Sequence, residues 1–284
     1  MREIDSQRKL NIIVLYFVPV GTIKYNKWVD GFTSAMSAIE EEHSVLWVNL
    51  SDTDLLKLGI RFEDYDVLFV KSNWGARVDR YVRKNLRNVP IYKALLISGS
   101  KMPDQEGLKF YDLLYYETTW YEKFIVQHKN AIHAFGINAE IMKPVEVDKT
   151  IDWLTVGQFK PYKRMHKIIE KEGRRVAIGE LPERWKFWSK ENRVYNRLVK
   201  AGVTIIGFLD YEKLSEYYSK SNNLLIPATI DGGGERAILE ARSCGVSNIE
   251  IMPDNPKLQS ISEGPIYDHY YYADQLVKGI KTLL

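Results

Sequence analysis

Cysteine is nearly missing from this chain: Cys244 is the only one in 284 residues. A single thiol cannot form an internal disulfide, so a reducing, cytosolic compartment is expected. Long apolar runs are missing too. The longest, Ile12–Val18, has seven residues and stops at Pro19, whereas a helix spanning a bilayer needs about 20. No transmembrane helix is expected. The opening Met-Arg-Glu-Ile-Asp-Ser-Gln-Arg-Lys carries two acids and no apolar stretch, unlike a secretory signal. Neither sign of charge dominates: 40 basic and 37 acidic side chains leave +3, too little on its own to argue for a nucleic-acid partner. His43, His128, His133, His166 and His269 show no metal-binding spacing, so no metal is expected. Phe17–Thr22 contains only Gly21, and no Gly-x4-Gly-Lys-Ser/Thr run occurs. Dinucleotide and P-loop chemistry are therefore unsupported.

What is present is globular composition, 45% apolar and 27% charged, at a length that predicts about two domains. Short apolar strands alternate with helix-length segments, which predicts parallel α/β layers. In the first half, strands are expected at Asn11–Val18, Val45–Leu50, Asp66–Val70, Ala94–Ile97 and Leu113–Tyr115. Helices are expected at Lys27–Glu42, Val78–Asn88 and Trp120–His128. The pattern restarts after Lys143–Lys149. Ile151–Val156, Arg175–Ile178 and Val203–Ile206 each read as a strand ending in glycine, at Gly157, Gly179 and Gly207. Glycine at a strand tip permits positive φ or close approach of a ligand, and the carboxyl ends of strands are where open α/β sheets bind ligands. Helices are expected at Met165–Lys171, Asn192–Lys200, Tyr211–Ser219, Ala237–Arg242 and Ala273–Leu284, the last preceded by Tyr270-Tyr271-Tyr272.

The most specific stretch runs from Pro227 through Asp231-Gly232-Gly233-Gly234-Glu235-Arg236 to Leu239-Glu240-Ala241 and Cys244-Gly245. It reads as a strand end, a triple-glycine loop and a helix start, a place where exposed N–H groups and the helix dipole favour an anion. Asp231, Glu235 and Glu240 are acceptors suited to sugar hydroxyls. Read alone, the loop is also compatible with an ordinary glycine turn and capping acids. Cys244 reads as a small buried hydrophobe rather than a nucleophile.

Four further segments occur in a matching order: Ala134-Phe135-Gly136-Ile137-Asn138 with Met142-Lys143-Pro144; Leu154-Thr155-Val156-Gly157-Gln158-Phe159 with Lys163; Val176-Ala177-Ile178-Gly179; and Val203–Leu209 followed by Leu214, Tyr217 and Tyr218. Together with Leu239-Glu240-Ala241 they resemble the retaining nucleotide-sugar glycosyltransferases of the GT-B fold, in particular glycosyltransferase family 4 (glycosyl transferases group 1). The resemblance covers about residues 131–250. It implies two Rossmann-like α/β/α domains with a cleft between them: an acceptor-side domain over 1–145, a donor domain over 146–270, and a closing helix over 271–284 that packs back toward the first domain. It implies sugar transfer from a nucleoside diphosphate sugar to an acceptor hydroxyl of a glycan, a lipid or another small molecule, with retention and without a metal or cofactor. UDP-sugar and GDP-sugar donors both fit.

By position, the resemblance makes Lys163 a diphosphate ligand, with Gly157, Gln158 and Arg164 beside it. It places Gly207, Phe208 and Leu209 around the base, Glu240 on the ribose, and Gly232, Gly233, Gly234 and Glu235 at the diphosphate and sugar. Lys163, Glu235 and Asp231 are the implied catalytic set. Gly21, Ser98 and Lys101 fall on the acceptor side. Three departures stand out. Gln158 replaces the family's arginine, with Arg164 or Lys160 as substitutes. The first loop acid is displaced from position 232 to Asp231 or Glu235. Ser98-Gly99-Ser100-Lys101 lacks the family's histidine.

Between Lys71 and Lys101 there are eight basic residues and one acid, Asp79. Arg77, Arg80, Arg83, Lys84 and Arg87 share an arc of about 120° on a helix. This is either a solvated face or a surface for an anionic partner. A membrane leaflet would put the chain peripherally at the inner membrane face, and nucleic acid would make modified DNA the acceptor. A non-catalytic sugar-nucleotide binding module also remains open, because Gln158 is neutral.

Overall fold

Ile12 to Leu15 is continuously apolar because the strand it forms is covered on both faces. In the computed structural model, Ile12 and Val14 join one buried cluster and Ile13 and Leu15 the other, as the period of two in a doubly covered parallel sheet requires. The structure describes residues 8–18, 30–72, 77–97, 105–118, 121–183, 185, 188–229 and 233–284. The chain divides into two compact units, 1–135 with 269–284, and 136–268.

The first unit carries a six-stranded parallel sheet in the order β2-β1-β3-β4-β5-β6. The strands are β1 (Asn11–Tyr16), β2 (Ser44–Asn49), β3 (Val67–Ser72), β4 (Tyr92–Ile97), β5 (Leu113–Tyr116) and β6 (Ala131–His133). Helix α1 (Gly31–Glu42) starts at a reciprocal cap. The Asp30 carboxylate accepts from the Thr33 N–H, and the Thr33 hydroxyl accepts from the Asp30 N–H, both at 2.8 Å. Phe32, Met36 and Ile39 of α1 share the buried cluster on one sheet face. Val78 and Val82 of α2 (Arg77–Asn85) share the cluster on the other. Asp30 is also ion-paired with buried Lys71 at 3.0 Å, and the ammonium lies 4.2 Å from the Phe32 ring centroid.

The closing helix, His269–Lys281, is part of this first unit. Gly279 makes its approach possible, since a Cβ there would lie 2.3 Å from the Tyr115 hydroxyl. That hydroxyl donates to the Leu276 carbonyl, and Tyr272 donates to Glu117 at 3.1 Å. Tyr270–Tyr272 therefore lie inside the helix rather than before it.

The second unit holds a five-stranded parallel sheet in the order β11-β10-β7-β8-β9. Its strands are β7 (Ile151–Val156), β8 (Arg175–Ile178), β9 (Thr204–Ile206), β10 (Ser221–Ile226) and β11 (Asn248–Ile251). Its helices include α3 (Lys190–Lys200), α4 (Tyr211–Ser219) and α5 (Glu235–Ser243). The units divide before residue 145 because the intervening stretch is fastened to the second. Ile137 donates to the Tyr267 carbonyl, the Lys143 carbonyl accepts from Ser215, and Val145 donates to Ser219. Other differences are local. Met165–Glu170 is a 3-10 helix, and among the described residues 121–128 the α-helix is the short Glu122–Ile125. Two strands, β6 and β11, lie outside the expected set. Among the described residues no helix is long and apolar enough to cross a membrane.

Candidate functional site

In the second sheet the chain moves from β7 to β8 and β9 on one side and crosses to β10 and β11 on the other. The loops after β7 and β10 therefore flank the point where strand order reverses, the usual ligand crevice of such sheets. These are the two loops that carry Gly157–Arg164 and Pro227–Glu235.

Lys163 closes the 3-10 turn Pro161–Lys163, and its Cδ lies 3.9 Å from where a Cβ on Gly157 would be. Gly157 has φ +156°, and Gly234, at the start of α5, has φ +147°. A Cβ on Gly234 would also come within 2.7 Å of Ile226. Burial pushes the Lys163 ammonium below its ordinary pKa of 10.5. The Glu235 carboxylate opposes that shift, while Lys160 and Arg236 add to it. Lys163, Glu235, Lys160 and Arg236 therefore sit within electrostatic reach of one another. Arg236 was not expected here. Its signal was a cation in the first turn of a helix, the end where the dipole disfavours positive charge.

Glu235 is buried and turns back on its own loop, accepting from the Gly234 N–H at 2.9 Å. In this conformation its carboxylate occupies the amide that an anion at the helix start would use. Asp231 and Gly232, the other loop positions implied for sugar binding, lie outside the described residues.

Arg164 has a different use from the one implied for it. It is a non-glycine residue with φ +48°, a costly backbone conformation held by its surroundings. Its guanidinium donates to the Pro227 carbonyl at 2.6 Å, to the Ala228 carbonyl at 3.2 Å, and to both Asp254 oxygens at 2.7 Å. Four of its five N–H donors are thereby committed. The Thr229 N–H donates to the Tyr162 carbonyl at 2.9 Å. Arg164 thus braces the Lys163 turn against the loop after β10, where a diphosphate would find its donors already taken.

Glu240 is buried on α5 and accepts from the Tyr218 hydroxyl on α4 at 3.0 Å. Burial, reinforced by that carboxylate, holds the Tyr218 phenol far above its ordinary value. Cys244 is buried beside them, with its thiol pushed up to about 11 by burial. It is an inert core residue.

The tips of β7, β8 and β9 lie side by side. The Gly157 N–H donates to the Ile178 carbonyl and the Gly179 N–H to the Ile206 carbonyl. Exposed Gln158, with Lys160, Glu180, Leu181 and Ser189, lines a cavity of about 250 Å3 at these tips. Leu181 also borders Gly207, 3.6 Å from where its Cβ would be. Phe208 beyond it is exposed and Leu209 half-buried. A larger cavity of about 470 Å3 opens at the amino end of β11, away from the tips. Arg242 in its wall is tied to the Ile261 and Gly264 carbonyls at 2.6 Å.

In the first sheet the order reverses between β1 and β3. Gly21, Ser98 and Lys101 lie outside the described residues. The basic arc on α2 is partly internal. Arg77 stacks 4.8 Å from the Phe17 centroid, and Arg83 pairs at 3.0 Å with Asp79, which is buried and accepts from Tyr111. Arg77, Arg80, Lys84 and Arg87 are exposed, and Arg83 is half-buried. Among the described residues no cluster of His, Cys, Asp and Glu side chains could hold a metal ion.

No protein-family model matches the chain, and no curated protein matches it in sequence. Solved structures do. The chain is similar to AviGT4, a glycosyltransferase involved in avilamycin A biosynthesis, at 13% identity over 96% of this chain and 98% of that one, with a TM-score of 0.67. It is similar to Anabaena HepE, solved with UDP-glucose, at 12% identity over 95% and 94% of the two chains, with a TM-score of 0.56. It is also similar to an alpha-glucosyltransferase solved with UDP and a 13-mer DNA containing a HMU base, at 14% identity over 97% and 90%, with a TM-score of 0.59. These similarities establish the fold. The chain has the GT-B fold, two parallel-sheet α/β units.

Proposed function

We propose that the chain transfers a sugar from a nucleoside diphosphate sugar, with UDP as the leaving nucleotide, to an acceptor hydroxyl with retention of configuration. The observation that carries this reading is the joining of the Lys163 turn to the loop after β10 at the switch point of the second sheet, through Arg164 on the Pro227 and Ala228 carbonyls and Thr229 on the Tyr162 carbonyl, with Lys160 and Arg236 within electrostatic reach of Lys163. Departure of a nucleoside diphosphate concentrates negative charge on phosphate oxygens, and pre-placed cations and amides stabilise it. Arg236 supplies the charge that Gln158 lacks and that Arg164 has committed elsewhere. Glu240, steadied by Tyr218, holds the ribose hydroxyls, and Gly207–Leu209 line the base. The UDP and UDP-glucose bound in the neighbouring structures are the donor chemistry this arrangement fits. The leaving phosphate takes the acceptor proton, so no side chain needs to act as general base.

The test is a thermal-shift panel of UDP, GDP and ADP with their glucose conjugates, followed by donor turnover. At 100 times Kd a ligand of the folded state adds about 2.7 kcal/mol, a rise in Tm of roughly 5–10 °C. UDP compounds are expected to give that rise, and no rise with any nucleotide would sink the reading. Binding without hydrolysis or transfer would leave a sugar-nucleotide binding module. Tyr218→Phe removes the hydroxyl held by Glu240 and is expected to weaken UDP binding about tenfold, measured by calorimetry, while turnover of saturated enzyme falls much less.

A further inference from the structure

A second feature of the donor-side unit lies beside the cavity at the strand tips, between Leu181 and Ser189 of its lining. The segment that leads into α3 reads Arg-Trp-Lys-Phe-Trp-Ser-Lys over residues 184–190. Trp185 is 74% exposed and Trp188 is 83% exposed. A tryptophan side chain carries roughly 150–250 Å2 of largely apolar surface, and most of it faces solvent at both positions. The helix that follows adds charge of one sign. Lys190, Arg193, Arg197 and Lys200 are all exposed and fall within an arc of about 80° at 100° per residue. The adjoining side of α3, centred about 100° from the stripe, buries Val194 and Leu198, and the four cations stay exposed. Glu170 and His166, from the neighbouring 3-10 turn, lie within electrostatic reach of Arg197, and Glu170 is already paired with Lys167 at 2.7 Å. Between Glu180 and Lys200 there are six cations and three acids. That local excess equals the net charge of the whole chain.

We propose that Trp185, Trp188 and the Lys190–Lys200 stripe form a docking surface for an anionic phospholipid membrane. Tryptophan partitions into the headgroup region, where its ring is apolar and its N–H stays wet. A row of lysine and arginine beside it is attracted to acidic headgroups. Each signal alone gives weak attachment, and the two together give stable but reversible binding. Among the described residues the basic arc of α2 has no exposed tryptophan beside it.

The test is co-sedimentation of the full chain with vesicles of phosphatidylcholine alone and of phosphatidylcholine with one-third phosphatidylglycerol. Binding is expected to be at least tenfold tighter to the anionic vesicles and to weaken with added salt. Trp185→Ser with Trp188→Ser, and separately Arg193→Glu with Arg197→Glu, are each expected to lower it at least tenfold without changing Tm, since all four side chains are exposed. Equal partition into neutral and anionic vesicles, or none into either, overturns the proposal. So does loss of binding in Arg80→Glu with Lys84→Glu but not in the α3 variants, or displacement from vesicles by single-stranded DNA acting through the same tryptophans.

Discussion

Lys163→Ala is expected to lower turnover with a UDP-sugar by roughly 100- to 1,000-fold, the usual cost of removing one preorganised charge-stabilising donor. Tm should change little, because Lys163 ends a loop turn and is not part of the buried cluster of Phe159, Met165 and Ile168 around it. Lys163→Arg keeps the charge but alters its reach, so it should recover part of the activity. Arg236→Ala should give a smaller loss, since its charge acts alongside that of Lys163. Single-turnover kinetics separate the chemical step from donor binding. Full turnover in Lys163→Ala would remove this lysine from the mechanism.

The same lysine sets a pH dependence whose sign follows from its surroundings. Burial lowers its pKa from 10.5, so the free protein loses this proton at lower pH than an ordinary lysine. A bound diphosphate favours the protonated form, so binding and protonation are linked. UDP affinity is expected to fall as pH rises through that lowered pKa, with proton uptake on binding in the same range. Lys163→Met should flatten this limb. Calorimetry in buffers of different ionisation enthalpy measures both quantities, and an unchanged slope in Lys163→Met would assign the limb to another group.

Gly179→Ala carries the largest expected loss of stability. A Cβ at this position would lie 1.9 Å from the Gly157 carbonyl oxygen. That oxygen belongs to backbone, so no side chain can rotate away, and the tips of β7 and β8 must move apart. We expect a cost of about 3 kcal/mol, a fall in Tm of roughly 6–12 °C, and weaker UDP binding because the Lys163 turn follows Gly157. Gly202→Ala is the matched control. Gly202 has φ +70° with nothing within 4 Å, so alanine there bears only left-handed strain, about 1 kcal/mol. Calorimetric unfolding of the two variants separates steric clash from backbone strain. Equal losses would show that the tips tolerate separation.

The three strand-end glycines show how much was legible beforehand. Their positions and the strands before them could be read from apolar runs that stop abruptly, but the reason for each glycine could not. Gly157 needs its positive φ, Gly179 needs the space, and Gly207 meets Leu181 at an ordinary 3.6 Å. Arg164 is the opposite case. Its charge beside Lys163 invited a phosphate-binding role, and only the approach of Asp254, 90 residues away, shows the guanidinium to be a brace. Arg236 was in plain view within the glycine motif, yet its grouping with Lys163 depends on two loops from different strands. The tryptophans before α3 could be read as residues but not as surface, since periodicity reports which side chains alternate and not which are covered.

The sequence by itself determined the class of fold. Local spacing of apolar residues and the punctuation of strands by glycine are short-range properties, and they are enough to specify parallel α/β layers. Tertiary structure alone decided which charges meet, which are already satisfied and where each unit ends. Those outcomes depend on side chains far apart in the chain arriving at the same place, and sequence distance carries no record of that.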